Sequence, residues 1–175
     1  MTDLTWTAAA ERPDLLAPPV REALTALPDP GVVEVTEIDP DLADTQALVA
    51  ATDIRLEDSA NCIVVAGRRG EVERVAAVLV LATTRADVNT TVRKLLDVRK
   101  ASFMPMERAV TETAMEYGGI TPIGLPDGWP VLVDDRVLER PTVVIGSGVR
   151  RSKLRLPGPA VADLPGVRVV PGLAR

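Results

Sequence analysis

The sequence predicts a mixed α/β (α+β) fold built around one core, and three observations predict it. Its 175 residues suit one domain and suffice to bury about two-thirds of the surface exposed by the unfolded chain. Hydrophobic residues make up 46% and charged ones 26%, with a mean hydropathy of +0.14, a globular composition rather than a disordered or fibrous one. Short β-branched runs and segments of helical apolar spacing follow one another without the strict strand-helix alternation of a doubly wound fold.

Residues 1–18, rich in Ala and Pro, read as a loosely ordered leader, and residues 19–175 as the domain. Pro18-Pro19 opens a helix through about Leu27, because proline is tolerated in the first turn, and Pro28-Asp29-Pro30-Gly31 ends it. Val32 to Ile38 has the β-branched content of a strand, closed by Asp39-Pro40. Asp44 is placed to cap a helix from Thr45 to Thr52. Asn61 to Ala66 and Arg74 to Leu81 read as a hairpin with a basic, exposed tip at Gly67-Arg68-Arg69-Gly70. Asp87 is a candidate N-cap for a helix whose Val88, Val92, Leu95 and Leu96 form an apolar stripe. Ala101 to Met104 is extended, and Pro105 opens a helix that carries Val110 and Ala114 and stops at Gly118-Gly119. Val131 to Val133, Thr142 to Ile145, Ser152 to Leu156 and Val167 to Val170 are the remaining strands, the third marked by polar-apolar alternation.

Composition removes much chemistry. Histidine is absent, which excludes Ser-His and Cys-His nucleophiles, histidine metal sites and imidazole acid/base catalysis. Cys62 is the only cysteine, so no intrachain disulfide or thiolate cluster forms, in keeping with a reducing cytoplasm. It lies in an apolar strand with no base beside it and reads as structural. No apolar run reaches about 18 residues, and the start at Met1-Thr2-Asp3 lacks a basic segment followed by an apolar one, so neither export nor a membrane span is expected. Trp6, Phe103, Tyr117 and Trp129 are too few for an extended base-stacking coat. The net charge of −5 hides an asymmetry: residues 1–60 carry −10 and residues 61–175 carry +5, which allows a local anion-binding surface on an acidic protein.

Catalysis in such a chain must use carboxylates, Arg or Lys, hydroxyls, backbone groups or the substrate itself. Tyr117-Gly118-Gly119-Ile120-Thr121-Pro122-Ile123-Gly124-Leu125-Pro126 is the most informative stretch. Its glycines let backbone amides approach a ligand, and its prolines stiffen the loop, so rigid amides can orient a water or hold an oxyanion. The same pair of glycines also serves as an ordinary helix stop. Gly146-Ser147-Gly148-Val149-Arg150-Arg151-Ser152-Lys153 joins two glycines to a basic cluster after a strand, within a stretch from Arg140 to Ala162 that has five basic residues and no acidic one. It is the best phosphate-binding candidate, although its spacing is not that of a Walker A loop and a solvated basic hairpin has the same composition. Asp134-Asp135 reads as a pair of solvated turn formers rather than a metal site.

In chain order, Ala60-Asn61-Cys62-Ile63-Val64-Val65, Asp97 to Phe103, Gly118 to Gly124, Pro130 to Asp134 and Val143 to Gly148 resemble the YbaK/EbsC-like family, the editing domains associated with prolyl-tRNA synthetase. The resemblance runs through nearly the whole chain, and its most specific element is Gly118-x-x-x-Pro122 followed by a short strand and a second glycine loop. It implies a mixed, mostly antiparallel, curved or barrel-like sheet with surrounding helices. It also implies a freestanding deacylase that hydrolyses the ester of mischarged tRNA without cofactor or metal, through backbone groups, a positioned water and groups of the substrate.

By position, Gly118, Gly119, Ile120, Thr121 and Pro122 would surround the ester and aminoacyl group. Gly146, Ser147 and Gly148 would form the second loop, and Arg150, Arg151 and Lys153 would meet RNA phosphates. The lysine that family members carry in the first hairpin strand is replaced by Asn61, and the aspartate that follows the second glycine loop in some members is matched by Lys153. One reading of this exchange is a cation moved from one wall of the pocket to the other, with Asn61 bonding substrate. The other is a homologue that binds tRNA or an aminoacyl-tRNA synthetase without hydrolysis. Oligomeric state and amino-acid choice are not set by these motifs.

Overall fold

In the computed structural model, which describes residues 2–175, the strands are divided between two sheets that adjoin where Ser59 bridges Val144. The elements in order are β1 (Thr7–Ala8), α1 (Pro18–Thr25), β2 (Glu34–Glu37), α2 (Thr45–Ala51), β3 (Ala60–Arg69), β4 (Val72–Leu81), α3 (Arg93–Leu95), β5 (Lys100–Phe103), α4 (Met106–Thr113), β6 (Val131–Asp134), α5 (Asp135–Leu138), β7 (Val143–Gly146), β8 (Ser152–Leu156) and β9 (Val167–Val170). One sheet has the order β1-β2-β8-β7 and is antiparallel throughout. The other, β5-β3-β4-β6-β9, is antiparallel from β5 to β4 and parallel from β4 to β9. The mixed, mostly antiparallel architecture is carried by two sheets, neither of which closes into a barrel.

β4 explains how they pack. Its unbroken apolar run from Val75 to Leu81 is what a strand covered on both faces requires. Ala77, Leu79 and Leu81 enter the main core with Val35, Ile145, Leu154 and Leu156 of the other sheet. Ala76, Val78 and Val80 face a second core with Val92, Leu96, Val98, Leu132 and Leu173. A third cluster, Ile38, Leu48, Ile54 and Val144, lies beside α2.

Several expectations change in detail. Residues 2–17, read as part of a loosely ordered leader, hold β1 and two 3-10 turns and bury Ala9, Leu15, Leu16 and Ala17. The hairpin tip moves outward to Gly70-Glu71, because β5 pairs with Val65 to Arg68 and extends the strand through the basic segment. The carboxylate of Asp87 accepts from Thr91 Oγ1 at 2.9 Å instead of from cap amides, and Val88–Val92 is a wide π turn leading into α3. α4 ends at Thr113, well before Gly118-Gly119, with Ala114 in the left-handed region.

Asp134 is no solvated turn former. It is fully buried, accepts from Arg136 at 2.7 and 3.1 Å and from the Ala174 N–H at 2.9 Å, and caps α5. Burial opposes its charge, but the Arg136 guanidinium and the amide prevail and hold the carboxyl below its ordinary range. Among the described residues, no helix is long and apolar enough to cross a membrane, and no group of three His, Cys, Asp or Glu side chains is placed to hold a metal ion.

A cavity at the junction of the two sheets

Where the sheets adjoin, the structure leaves a cavity of about 550 Å³. Part of its lining is the start of β3 with Phe103 and Met104, and part is Val144, Ile145, Gly146 and Lys153 of the other sheet. The N-terminus of α2 and the loop at Tyr117, Gly118 and Ile120 complete the rim. α2 begins here because Asp44 accepts from the amides of Gln46 and Ala47, the local capping that its sequence predicts.

The two glycine loops form one seam, backbone against backbone. The Gly148 N–H donates to Gly119 O at 2.7 Å, Glu116 N–H to Gly148 O at 2.8 Å, and Gly119 N–H to Glu116 O at 2.9 Å. Gly146 stands where a Cβ would collide with the carbonyl oxygens of Gly119 and Ile120, the latter at 2.7 Å. Gly118 has φ +80° and faces Arg150, whose Nη1 lies 3.0 Å from the position of a Cβ. Both positions therefore exclude larger residues, one for space and the other for conformation as well.

Lys153 sits in the middle of the antiparallel sheet, paired with Thr36 of β2 and Gly146 of β7, and is only 7% exposed. Its ammonium donates to Ala43 O at 2.9 Å. Burial pushes its pKa down to about 8, the Asp44 carboxylate works against that shift, and Arg150 adds to it. A lysine so placed stays mainly charged at neutral pH but titrates close to it. On the β3 wall Asn61 is exposed, and its side-chain oxygen accepts from Thr45 Oγ1 at 2.9 Å. Beside it Cys62 lines the cavity, with burial pushing its thiol up to about 12, so it carries no thiolate.

Of the residues singled out from sequence, Asn61, Gly118, Ile120, Gly146 and Lys153 come together on this cavity. Gly119, Thr121, Pro122, Ser147 and Gly148 are buried behind it. Thr121 is fully buried with no hydrogen-bond partner for its Oγ1, while Ser147 bonds Ser152 Oγ at 2.7 Å. Arg150 lies on the rim: its backbone N–H reaches Glu116 Oε2 at 2.6 Å, and its guanidinium reaches Tyr117 O at 3.1 Å and Pro40 O at 3.0 Å. Arg151 donates to Asp14 O and lies 3.8 Å from the Glu37 carboxylate. Sequence reasoning missed Thr45, which holds Asn61, and the aromatic rim of Phe103 and Tyr117. The only phenylalanine of the chain, at the exposed end of an extended segment, was the available signal.

A family model described as an aminoacyl-tRNA editing domain matches residues 39–164. No curated protein matches the chain. Among solved structures, the fold is similar to that of a candidate trans-editing enzyme for prolyl-tRNA synthetase, with 21% identity, a TM-score of 0.74 and coverage of 89% of this chain and 97% of that one. It is similar also to a hypothetical protein, with 19% identity, a TM-score of 0.73 and coverage of 90% and 99%.

Proposed function

The chain belongs to the aminoacyl-tRNA editing domain family, and on that ground we propose that it hydrolyses the ester joining a wrongly attached amino acid to the 3′ end of a tRNA, acting in trans in the cytoplasm. The observation that carries this reading is the gathering of Asn61, Gly118, Ile120, Gly146 and Lys153 around one cavity in a protein without histidine. Its volume, about 550 Å³, falls among those of small-molecule sites and suits an aminoacyl ester with its ribose.

In the reaction, a water oxygen attacks the ester carbonyl carbon, negative charge gathers on the carbonyl oxygen, and the bond to the ribose oxygen breaks. The products are the amino-acid carboxylate, a free tRNA hydroxyl and a proton. Lys153 gives one hydrogen to Ala43 O and has two more to offer the developing charge or a neighbouring phosphate. Gly118 and Ile120 orient ester and water along the rim, while Gly119, Thr121 and Pro122 fix that loop from behind. Gly146, Ser147 and Gly148 hold the second loop against it, and Arg150 and Arg151 tie both loops to the rest of the chain. Asn61 has its amide NH2 for the substrate carbonyl or ribose hydroxyls, and the cation that the resemblance places in its strand comes instead from Lys153 of the other sheet.

Incubating the purified protein with a panel of mischarged tRNAs tests this. Ester loss above the buffer rate for at least one amino acid is expected, and none for any amino acid overturns it. The bond from Thr45 to Asn61 favours a second reading, a binding module silenced at that strand. An inactive wild type that gains hydrolysis on Asn61→Lys supports that second reading.

A further inference from the structure

Beside the cavity lies a second hollow, of about 320 Å³, lined by Arg68, Glu73, Arg99, Lys100, Ser102 and Arg108 among others. Phe103 and Met104 line both spaces and form their common wall. Phe103 is 65% exposed, at the end of an edge strand, which leaves its ring free to contact a ligand.

The charges of this hollow are unbalanced. Arg68 and Lys100 are register partners on adjacent antiparallel strands, a pairing of like charges that costs stability unless an anion relieves it. Glu73 answers only part of the excess, because it is already bonded to Arg108 at 2.6 and 3.0 Å and lies 3.5 Å from Arg68. Among the described residues, Arg99 and Lys100 take part in no ion pair, and both are exposed. Residues 66–108 hold nine basic and five acidic residues, in a protein whose net charge is −5.

We infer that this hollow and Phe103 are the track for the single-stranded 3′ end of the tRNA, with its last phosphates over Arg68, Arg99 and Lys100 and a base stacked on Phe103 as the chain turns into the cavity. The inference rests on the deacylase reading for the identity of the RNA. Single-stranded RNA fits because it needs both a cationic groove and an isolated stacking platform, and the two are contiguous here. Arg150 and Arg151, the basic pair that sequence singled out for phosphate, have their guanidinium groups bonded to carbonyl oxygens elsewhere in the chain.

The test is affinity for uncharged tRNA, by fluorescence anisotropy across a salt series. Arg99→Glu combined with Lys100→Glu should weaken binding at least tenfold and reduce the slope of log affinity against log salt by about 1.4, two phosphates' worth. Phe103→Ala should weaken it about tenfold with the slope unchanged. The control is Arg85→Glu with Arg168→Glu, the same charge change at exposed sites outside the hollow, which should cost less than about threefold at physiological salt.

Equal loss from the two double variants, or no loss from the first, overturns the track and leaves the hollow to a protein partner. Hydrolysis of mischarged tRNA is assayed separately. A wild type that cleaves ester beside a groove variant that binds normally sinks the track and spares the deacylase. A wild type that cleaves nothing sinks the deacylase, while the binding comparison still decides whether RNA lies here.

Discussion

The wall of the cavity built by β7 and β8 is buried and tied at its polar groups, whereas the wall built by the start of β3 and by Phe103 sets Asn61 and Phe103 in the open. Lys153 is enclosed between two strands and anchored on Ala43, and the adjoining glycine loops are bonded to one another through main-chain groups. The Asn61 side chain has one hydroxyl partner, and Phe103 lies in the open. On the proposed deacylase reading, the difference separates two tasks. A site that must hold charge at a fixed place needs an enclosed, preorganised wall, because reorganisation at the moment of reaction weakens electrostatic catalysis. A site that receives a flexible polymer end can leave its contacts on the surface.

Substitutions should break this contrast unequally. Gly146→Ala strikes the tied wall where no space exists, since the new methyl meets two carbonyl oxygens of the other loop. It should cost about 3 kcal/mol or prevent folding, measured by urea denaturation, and a loss below about 1 kcal/mol would show that the seam yields.

Lys153→Met should lower deacylation by about one to two decades, the worth of a charge-assisted bond of about 1.5 to 3 kcal/mol, and Asn61→Lys in the same chain should restore part of it from the open wall. This variant also has a signature in pH. The folded-state pKa of Lys153 lies at about 8, below the ordinary 10.5, so between these values the unfolded chain holds a proton that the folded chain has shed. Wild-type stability therefore gains on the order of 3 kcal/mol from this group as pH rises through that window, and none below it. The methionine variant should lack that rise. Activity, corrected for spontaneous ester hydrolysis, should fall in the wild type above about pH 8 as the ammonium is lost. The smallest effect belongs to the open wall: Thr45→Ala removes one exposed hydrogen bond and should shift stability by less than about 1 kcal/mol in the same denaturation assay, while altering which amino acid is released.

What could be read in advance was what is local. The alternation of Ser152 to Leu156 marks β8 at its observed bounds, and Asp44 caps α2 as its spacing predicts, because both signals lie within one element. The glycine loops were legible as loops, and Lys153 as a cation near them. Their energetic roles were not, since these depend on partners far away in the chain. Arg150 reaches a carbonyl 110 residues away and Arg151 one 137 residues away, and no charge count distinguishes such ties from a solvated basic patch. Likewise Gly67 to Arg69 looked like a turn until β5, some thirty residues on, supplied the pairing that makes it strand.

The N-terminal stretch gives the tied wall a backing of its own. Leu15 O accepts from Ser152 Oγ at 2.5 Å, Ser147 O accepts from the Ala17 N–H at 3.2 Å, and Arg151 donates to Asp14 O. Residues 2–17 thus act as a splint outside the chamber. A protease nick before Pro18 would unbrace the buried serine pair, and on the deacylase reading hydrolysis would then decay although no group lining the cavity had been altered.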